Sequence, residues 1–341
     1  MVKDMEKKRL GNSDMDITPI GIGAWAMGGG GWAFAWGPQD DRQSVAAIHS
    51  ALDHGVNWID TAPVYGYGRS EEVVGRALRQ MPPGDRPLIF SKCGMLWDEA
   101  DRFRDPLRTL EPASIRRECE DSLRRLGLDT IDLWQFHWPD LTGVPVEDSW
   151  AEAVRLRDEG KVRHIGVCNF DVALLERCEP IAHVETVQSP FSMIRRETGG
   201  ELRQWSLGHG SGLLCYSPMQ SGVLTGGFTR ERAAALPRDD HRAANPEYHE
   251  PQLARNLEYV ERIRPIADRL NISVGALAIA WVLQWPGISA AIVGARSPEQ
   301  IDGWVGAPDV RLSAQDLEDI TRAIERTGVG AGPIDVLATV G

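Results

Sequence analysis

Four polar side chains stand where apolar runs end or just beyond. Asp60 closes VNWID, Tyr65 follows five residues later in TAPVYGYGRS, Lys92 ends the apolar part of LIFSKCG, and His137 that of IDLWQFHWPD. A carboxyl, a phenol, an ammonium and an imidazole can between them hold, give or take a proton. The ammonium can also attack a carbonyl as a Schiff-base lysine. Taken singly, each has an ordinary structural reading: a cap, a loop residue, a snorkelling end, a half-buried ring. Taken together they read differently, because the carboxyl ends of barrel strands converge on one mouth.

The elements that must position them alternate regularly. VNWID reads as a buried strand over 56–60; Gly66 and Gly68 open a turn, and a helix over 70–79 begins with Ser70 as its N-cap and acids in its first turn. Further strands are expected over 17–25, 88–92, 131–137, 162–168, 185–189, 212–216 and 288–293. Between and after them, helices are expected over 40–54, 114–126, 146–159, 171–179, 197–208, 252–270, 274–285 and 298–305. Eight apolar runs separated by helical segments predict an α/β fold, a (β/α)8 TIM barrel. A hairpin over 7–18 would cap its amino-terminal end, and 313–326 would add one helix at the C-terminal end. No linker divides the chain, so 1–341 is expected to be a single domain, with a long polar loop running to about 250 and a tail over about 327–341, on the surface or disordered. GIGAWA, from Gly21 to Ala26, matches a dinucleotide fingerprint in letters only: glycines follow it where a helix is required.

The net charge of −12 removes any global attraction for nucleic acid or anionic membrane, so an anionic ligand must be held by a few local cations. Only five lysines occur, which makes Lys92 inside an apolar strand conspicuous. Five scattered cysteines without framework spacing suggest buried thiols in a reducing compartment. The N-terminus has no apolar h-region and no long apolar run follows, so a cytoplasmic location is expected. No metal-ligand spacing is present.

The motifs NWIDTAPVYGYGRSEEVVG, SKCG, DLWQFHWPD, GVCNF around Asn169, the strand holding Gln188, CYSPMQSGVLTGG and IVGARSPEQ span nearly the whole chain. It resembles an aldo-keto reductase. With GGGGWAFAWGPQDD after the first strand, it is similar to the bacterial and fungal NADP-dependent group that includes inositol-catabolism-associated reductases. The resemblance implies hydride exchange between NADPH/NADP+ and a carbonyl or its alcohol. Tyr65 would be the proton donor, Lys92 would lower its pKa toward working pH, Asp60 would fix Lys92, and His137 would orient the carbonyl. For the cofactor it implies Gly23, Ala24, Trp25 and Asp60 at the first two strand ends. Asn169 and Gln188 would take the carboxamide and Tyr216 would stack on the nicotinamide. Ser217, Met219, Ser221, Gly222 and Leu224 would hold phosphate, with Gly294, Arg296 and Gln300 on the adenosine side.

Two positions depart from the group: Gly227 stands where a lysine often supplies a pyrophosphate charge, and Trp304 where an asparagine is frequent. Arg296 beside a helix start suits the extra phosphate of NADPH; the plain alternative is a pair with Glu299 and acceptance of both cofactors. Trp25, Trp32, Phe34, Trp36, Trp97 and Trp138 fall near the catalytic edge, and about half of them would wall a pocket for aromatic or sugar-like carbonyls, alongside Tyr65 and His137. Two other classes remain: a Schiff-base aldolase using Lys92, and a cofactor-binding regulatory module resembling potassium-channel β subunits.

Overall fold

The computed structural model describes residues 5–336. Among them, eight parallel strands close into a barrel: β1 Ile20–Gly23, β2 Trp58–Asp60, β3 Leu88–Cys93, β4 Ile131–Phe136, β5 Val162–Cys168, β6 Thr186–Pro190, β7 Gly212–Tyr216 and β8 Ile288–Gly294. Each pairs with the next in chain order, and β8 closes the ring with Gly294 opposite Gly23. The strands are buried on both faces, as a parallel sheet wrapped in helices requires, so they read as continuous apolar runs. The helices Asp41–Asp53, Arg69–Leu78, Pro112–Leu126, Val146–Asp158, Val172–Cys178 and Glu201–His209 follow one another around the outside. Asp40 and Asp171 cap two of them by accepting from backbone N–H groups of the first turn.

The lower end of the barrel is stoppered. Lys8–Arg9 pairs antiparallel with Asp16–Ile17, and this hairpin brings Leu10, Met15 and Ile17 against Trp58, Phe90, Leu133 and Leu214 inside the barrel. Trp58 explains Gly21 in β1: a Cβ there would lie 2.2 Å from the indole, so only glycine leaves it room. Gly21 and Gly23 are thus strand glycines, and a 3-10 turn, Trp25–Gly28, follows instead of a dinucleotide-binding helix.

Several elements differ from expectation. The helix after β2 is capped by Gly68 in the left-handed conformation; Ser70 is buried inside its first turn. The Ser70 hydroxyl instead donates to the Ala24 carbonyl at 2.8 Å and meets the Thr61 hydroxyl at 2.9 Å, tying the helix to the ends of β1 and β2. The segment over 197–208 divides into a 3-10 turn, Glu197–Gly199, and the helix Glu201–His209. An antiparallel pair, Met95–Leu96 with Leu107–Arg108, lies above β3 where only loop was expected. The polar stretch to 250 is not a free loop: Ala35 bridges to Asp240, and the His241 N–H donates to the Ala35 carbonyl at 2.9 Å. Helix Ala314–Thr327 carries a capping box from Ser313 and Asp316. Beyond it the chain runs along the surface, with Gly328, Gly330, Ala331 and Gly332 exposed, anchored by buried Val329 and Val336 and by Arg196, which donates to the Ala331 and Val329 carbonyls. Residues 337–341 of the expected tail lie outside the described residues. All five cysteines are buried free thiols.

Candidate active site

Strand ends β2, β3 and β4 place the polar groups singled out from the sequence. Asp60 is the last residue of β2, Lys92 the penultimate residue of β3, and His137 follows β4 directly. Lys92 is 1% exposed and Asp60 3%, so the ammonium could not be tolerated unpaired. It donates to Asp60 Oδ1 at 2.5 Å, to the Thr61 carbonyl at 2.9 Å and to the Tyr65 hydroxyl at 3.4 Å. Its three protons are therefore all directed. The Tyr65 hydroxyl lies 3.5 Å from His137 Nε2. Asp60 Oδ2 accepts from Gln188 Nε2 at 2.8 Å and lies 3.5 Å from Gln135 Nε2, so β4 and β6 complete the shell.

Electrostatics sort these groups into roles. Burial alone would lower the proton affinity of Lys92, but Asp60 and Tyr65 override it, and the ammonium is held charged. Burial pushes the Tyr65 phenol above its ordinary pKa; Lys92 opposes this and Asp60 works against Lys92. The expected net lowering of the phenol therefore does not hold, because burial outweighs the lysine, and Asp60 offsets part of what the lysine contributes. His137 is driven well below the usual imidazole range by burial, then by Lys92 and Arg108, so it is neutral.

Above this cluster opens a cavity of about 570 Å³. Gly23, Trp25, Asp60, Tyr65, His137 and Trp138 line one end; Asn169, Gln188 and Tyr216 line its side. Asn169, at φ 60°, donates to the His137 carbonyl at 2.9 Å and accepts from the Tyr216 hydroxyl at 2.8 Å. Each of these amides keeps unused capacity, a second N–H on Asn169 and an oxygen on Gln188. Burial pushes the Tyr216 phenol up to about 12, so it stays protonated. Ser217, Met219, Ser221 and Gly222 line the far end together with Arg296, Gln300 and Trp304, and Gly294, paired with Gly23, lines the wall between the two ends. Ser217, Gln220 and Ser221 all have positive φ, a tight backbone held by the surrounding packing.

Three expected contacts do not reach the cavity. Ala24 is buried, and its N–H donates to the Asp60 carbonyl at 2.8 Å, locking β1 to β2. Leu224 is fully buried in the core. Trp97 turns away to stack on Tyr67 at 5.1 Å and donate to Glu99. Trp32, Phe34 and Trp36 do line the cavity. The alternative pairing of Arg296 with Glu299 is absent: its guanidinium donates to Gln39 Oε1 at 2.7 Å, the Trp36 carbonyl at 3.2 Å and the Pro38 carbonyl.

The sequence reading missed residues that belong here. Arg232 and Arg242 line the cavity near Arg296, and Arg242 is paired with buried Asp240 at 2.6 Å. The Arg242 guanidinium lies 4.8 Å from the Trp36 ring, and His241 packs 4.6 Å from Trp25 and 4.5 Å from Trp36. Nothing in a polar loop marks these residues in advance. Gln135 did carry a signal, a polar residue inside the apolar run IDLWQF. Arg108 also reaches the cavity wall.

Comparison with known proteins finds relatives over nearly the whole chain. The model of the aldo/keto reductase family matches residues 19–325. The NADH-specific methylglyoxal reductase of Escherichia coli is 31% identical over 334 residues, covering 94% of this chain and all of that protein. The glycerol dehydrogenase AKR11B4 of Gluconobacter oxydans superposes with a TM-score of 0.85 at 35% identity, over 97% of this chain and 98% of that one. An aldo/keto reductase of Klebsiella pneumoniae, solved with NADP and acetate, superposes with a TM-score of 0.69 at 28% identity over 93% and 95% of the two chains. With the match spanning almost the entire barrel, the chain belongs to the aldo/keto reductase family.

Proposed function

We propose that the protein is an NADP(H)-dependent oxidoreductase that interconverts an aldehyde or ketone and its alcohol, with Tyr65 as the proton donor. The carrying observation is one phenol placed 3.4 Å from a buried ammonium and 3.5 Å from a neutral imidazole at the floor of a cavity. Tyr65 holds its proton at rest because burial disfavours the phenolate. As negative charge develops on the carbonyl oxygen, the phenol releases the proton toward it. The phenolate left behind then faces Lys92, whose charge is fixed by Asp60. Neutral His137 orients the carbonyl oxygen by hydrogen bonding, which an imidazolium would do only at the cost of a second buried charge. Trp25 stacks on Tyr65 at 6.1 Å and restrains the ring.

The residues at the other end fit a nicotinamide dinucleotide. Arg232, Arg242 and Arg296 all line that end, and of the three only Arg242 is ion-paired among the described residues, so positive charge is left over for phosphate. Arg232, which has no ion pair among the described residues, would supply the charge missing at Gly227. Asn169, Gln188 and Tyr216 would hold the nicotinamide end, Ser217, Met219, Ser221 and Gly222 the pyrophosphate, and Arg296 with Gln300 the adenosine end. When bound, the nicotinamide supplies or accepts the hydride. Arg296 uses three of its five N–H donors on Gln39, Trp36 and Pro38, which leaves two for the extra phosphate of NADPH.

Lys92 is a poor Schiff-base nucleophile here: it is charged, buried behind Tyr65 and Asp60, and does not line the cavity. A binding-only module would not need the phenol at all. NADPH and NADH oxidation measured against sugar, aliphatic and aromatic aldehydes, with Tyr65→Phe in parallel, tests the reading. Turnover that needs Tyr65 is expected; full turnover by Tyr65→Phe, or none by the parent protein, would overturn it.

A further inference from the structure

Arg108 is set apart from the other cations of the cavity. The antiparallel pair above β3 carries it to the wall near His137, while Arg232, Arg242 and Arg296 stand at the opposite end. Its guanidinium lies over the Trp138 ring, 4.1 Å from the centroid. Its side chain has no hydrogen bond or ion pair among the described residues. The other arginines of the same loop are engaged, Arg104 with Asp98 at 3.5 Å and Arg102 with the Gly66 carbonyl at 3.4 Å.

An acid does stand on the facing loop, and it is not available. The loops meet where the Leu141 N–H donates to the Arg108 carbonyl at 3.1 Å. Asp140, one residue earlier, accepts from the N–H groups of Leu110, Thr142, Gly143 and Val144, so its charge is spent on backbone. Arg108 is close enough to the chemistry to be felt there: after burial and Lys92, it is the third influence lowering the proton affinity of His137.

A guanidinium laid on an indole has its face covered and its orientation restrained, while its in-plane N–H donors remain for a planar or tetrahedral oxyanion. A chain with a net charge of −12 offers no general attraction to an anion, so a free cation inside the pocket is a selective feature. We propose that Arg108 recognises an anionic group on the substrate: the carbonyl compound carries a carboxylate or phosphate a few bonds from its carbonyl carbon. The carbonyl oxygen then sits between Tyr65 and His137 while the anion meets the edge of Arg108. Met95 and Trp138 flank the short chain between them. This inference rests on the reductase reading above and adds the substrate class.

The test uses two matched pairs of aldehydes: 4-oxobutanoate with its methyl ester, and glyceraldehyde 3-phosphate with glyceraldehyde. The parent protein should favour the charged member of at least one pair by about 10- to 100-fold in kcat/KM, and the pair with the larger ratio identifies carboxylate or phosphate as the anion. Arg108→Met should bring that ratio close to one, and Arg108→Lys should keep part of it. A second readout needs no turnover: quenching of tryptophan fluorescence by succinate and by butyrate. The ratio of their affinities should fall in Arg108→Met, since only succinate can reach both the Tyr65 end and Arg108. A parent ratio near one with the neutral aldehydes reduced, or a ratio that Arg108→Met leaves intact, overturns the inference and leaves the reductase reading standing. No reduction of any of the four while another sugar, aliphatic or aromatic aldehyde is reduced overturns the inference alone, and no reduction of any aldehyde with either nucleotide overturns both.

Discussion

Asp60 and Lys92 ride on neighbouring strands and neutralise each other across 2.5 Å, whereas Arg232 sits on the short helix Arg230–Ala234, Arg242 on the 3-10 turn His241–Ala244 and Arg296 on a loop, with one ion-paired acid, Asp240, among them. At the floor of the first end Asp60 and Lys92 are held by each other and by Thr61, Gln135 and Gln188, and their charges cancel, with Arg108 on the wall above as the one unpaired cation there among the described residues. At the second, positive charge is left over and the backbone beneath it is strained at Ser217, Gln220 and Ser221. The contrast fits the two tasks. Proton transfer needs fixed atoms and cancelled fields, so that a small change at the phenol decides the outcome. Holding a polyanion needs surplus charge and loops that can adjust. The ends are joined by packed rings: Tyr65 stacked on Trp25, Trp25 tilted against His241, and His241 edge-on to Trp36.

The largest effect should come from the cancelled end. Tyr65→Phe should lower turnover by about 10²- to 10⁴-fold while nucleotide affinity stays nearly constant. Steady-state rates with a nucleotide titration check this, and a matched fall in nucleotide affinity would mean that the two ends are not separable. Lys92→Met should destabilise the fold by about 3–5 kcal/mol, since Asp60 is left buried without its cation. Urea unfolding of Lys92→Met beside the double variant with Asp60→Asn measures it, and the double variant should recover part of the loss. No recovery would mean that the lysine acts through packing alone.

At the surplus end the effects should be on binding. Arg296→Ala should weaken NADPH by about 10- to 150-fold, the worth of one charge-assisted contact of about 1.5–3 kcal/mol, and leave NADH nearly alone. Fluorescence titration with both nucleotides decides it, and equal losses would assign Arg296 to holding the 36–39 loop instead.

The smallest effect concerns the junction. Burial is the main cause that lowers His241 from 6.5 to about 4, with Arg242 helping and Ala35 and Asp240 opposing. Between those values the unfolded chain binds a proton that the native ring does not, so stability falls as pH falls. At pH 5.5 the loss is about 1.4 kcal/mol relative to pH 8. His164, raised on balance by Glu185 and Asp14 against burial, works in the opposite sense, so the measurement is the gap between the parent and His241→Gln. That gap should narrow on acidification; a constant gap would place the imidazole in contact with solvent.

The same contrast explains what could be read from the chain. β5, β7 and helix Gln252–Leu270 lie where the apolar pattern put them, since burial on both faces or on one stripe writes itself into residue order. Asp60, Lys92 and His137 were legible for the same reason: a polar residue ending an apolar run is visible. Asp240, His241 and Arg242 were not, because their positions depend on a contact with Ala35 some 200 residues away, which no local pattern encodes. Arg108 was hidden likewise by a two-residue strand pair too short to leave a periodicity. The Ser70 cap failed because Gly68, one residue before the helix, had already supplied the left-handed turn.

Leu10, Met15 and Ile17 make the barrel a vessel with one opening. On the proposed reading, a proton surrendered by Tyr65 would have no route back through that layer of hydrocarbon and would be restored from above. The departing alcohol and the nucleotide would use the same doorway. Recharging the phenol would thereby be tied to the traffic of products, and a molecule slow to leave would keep the acid discharged behind it.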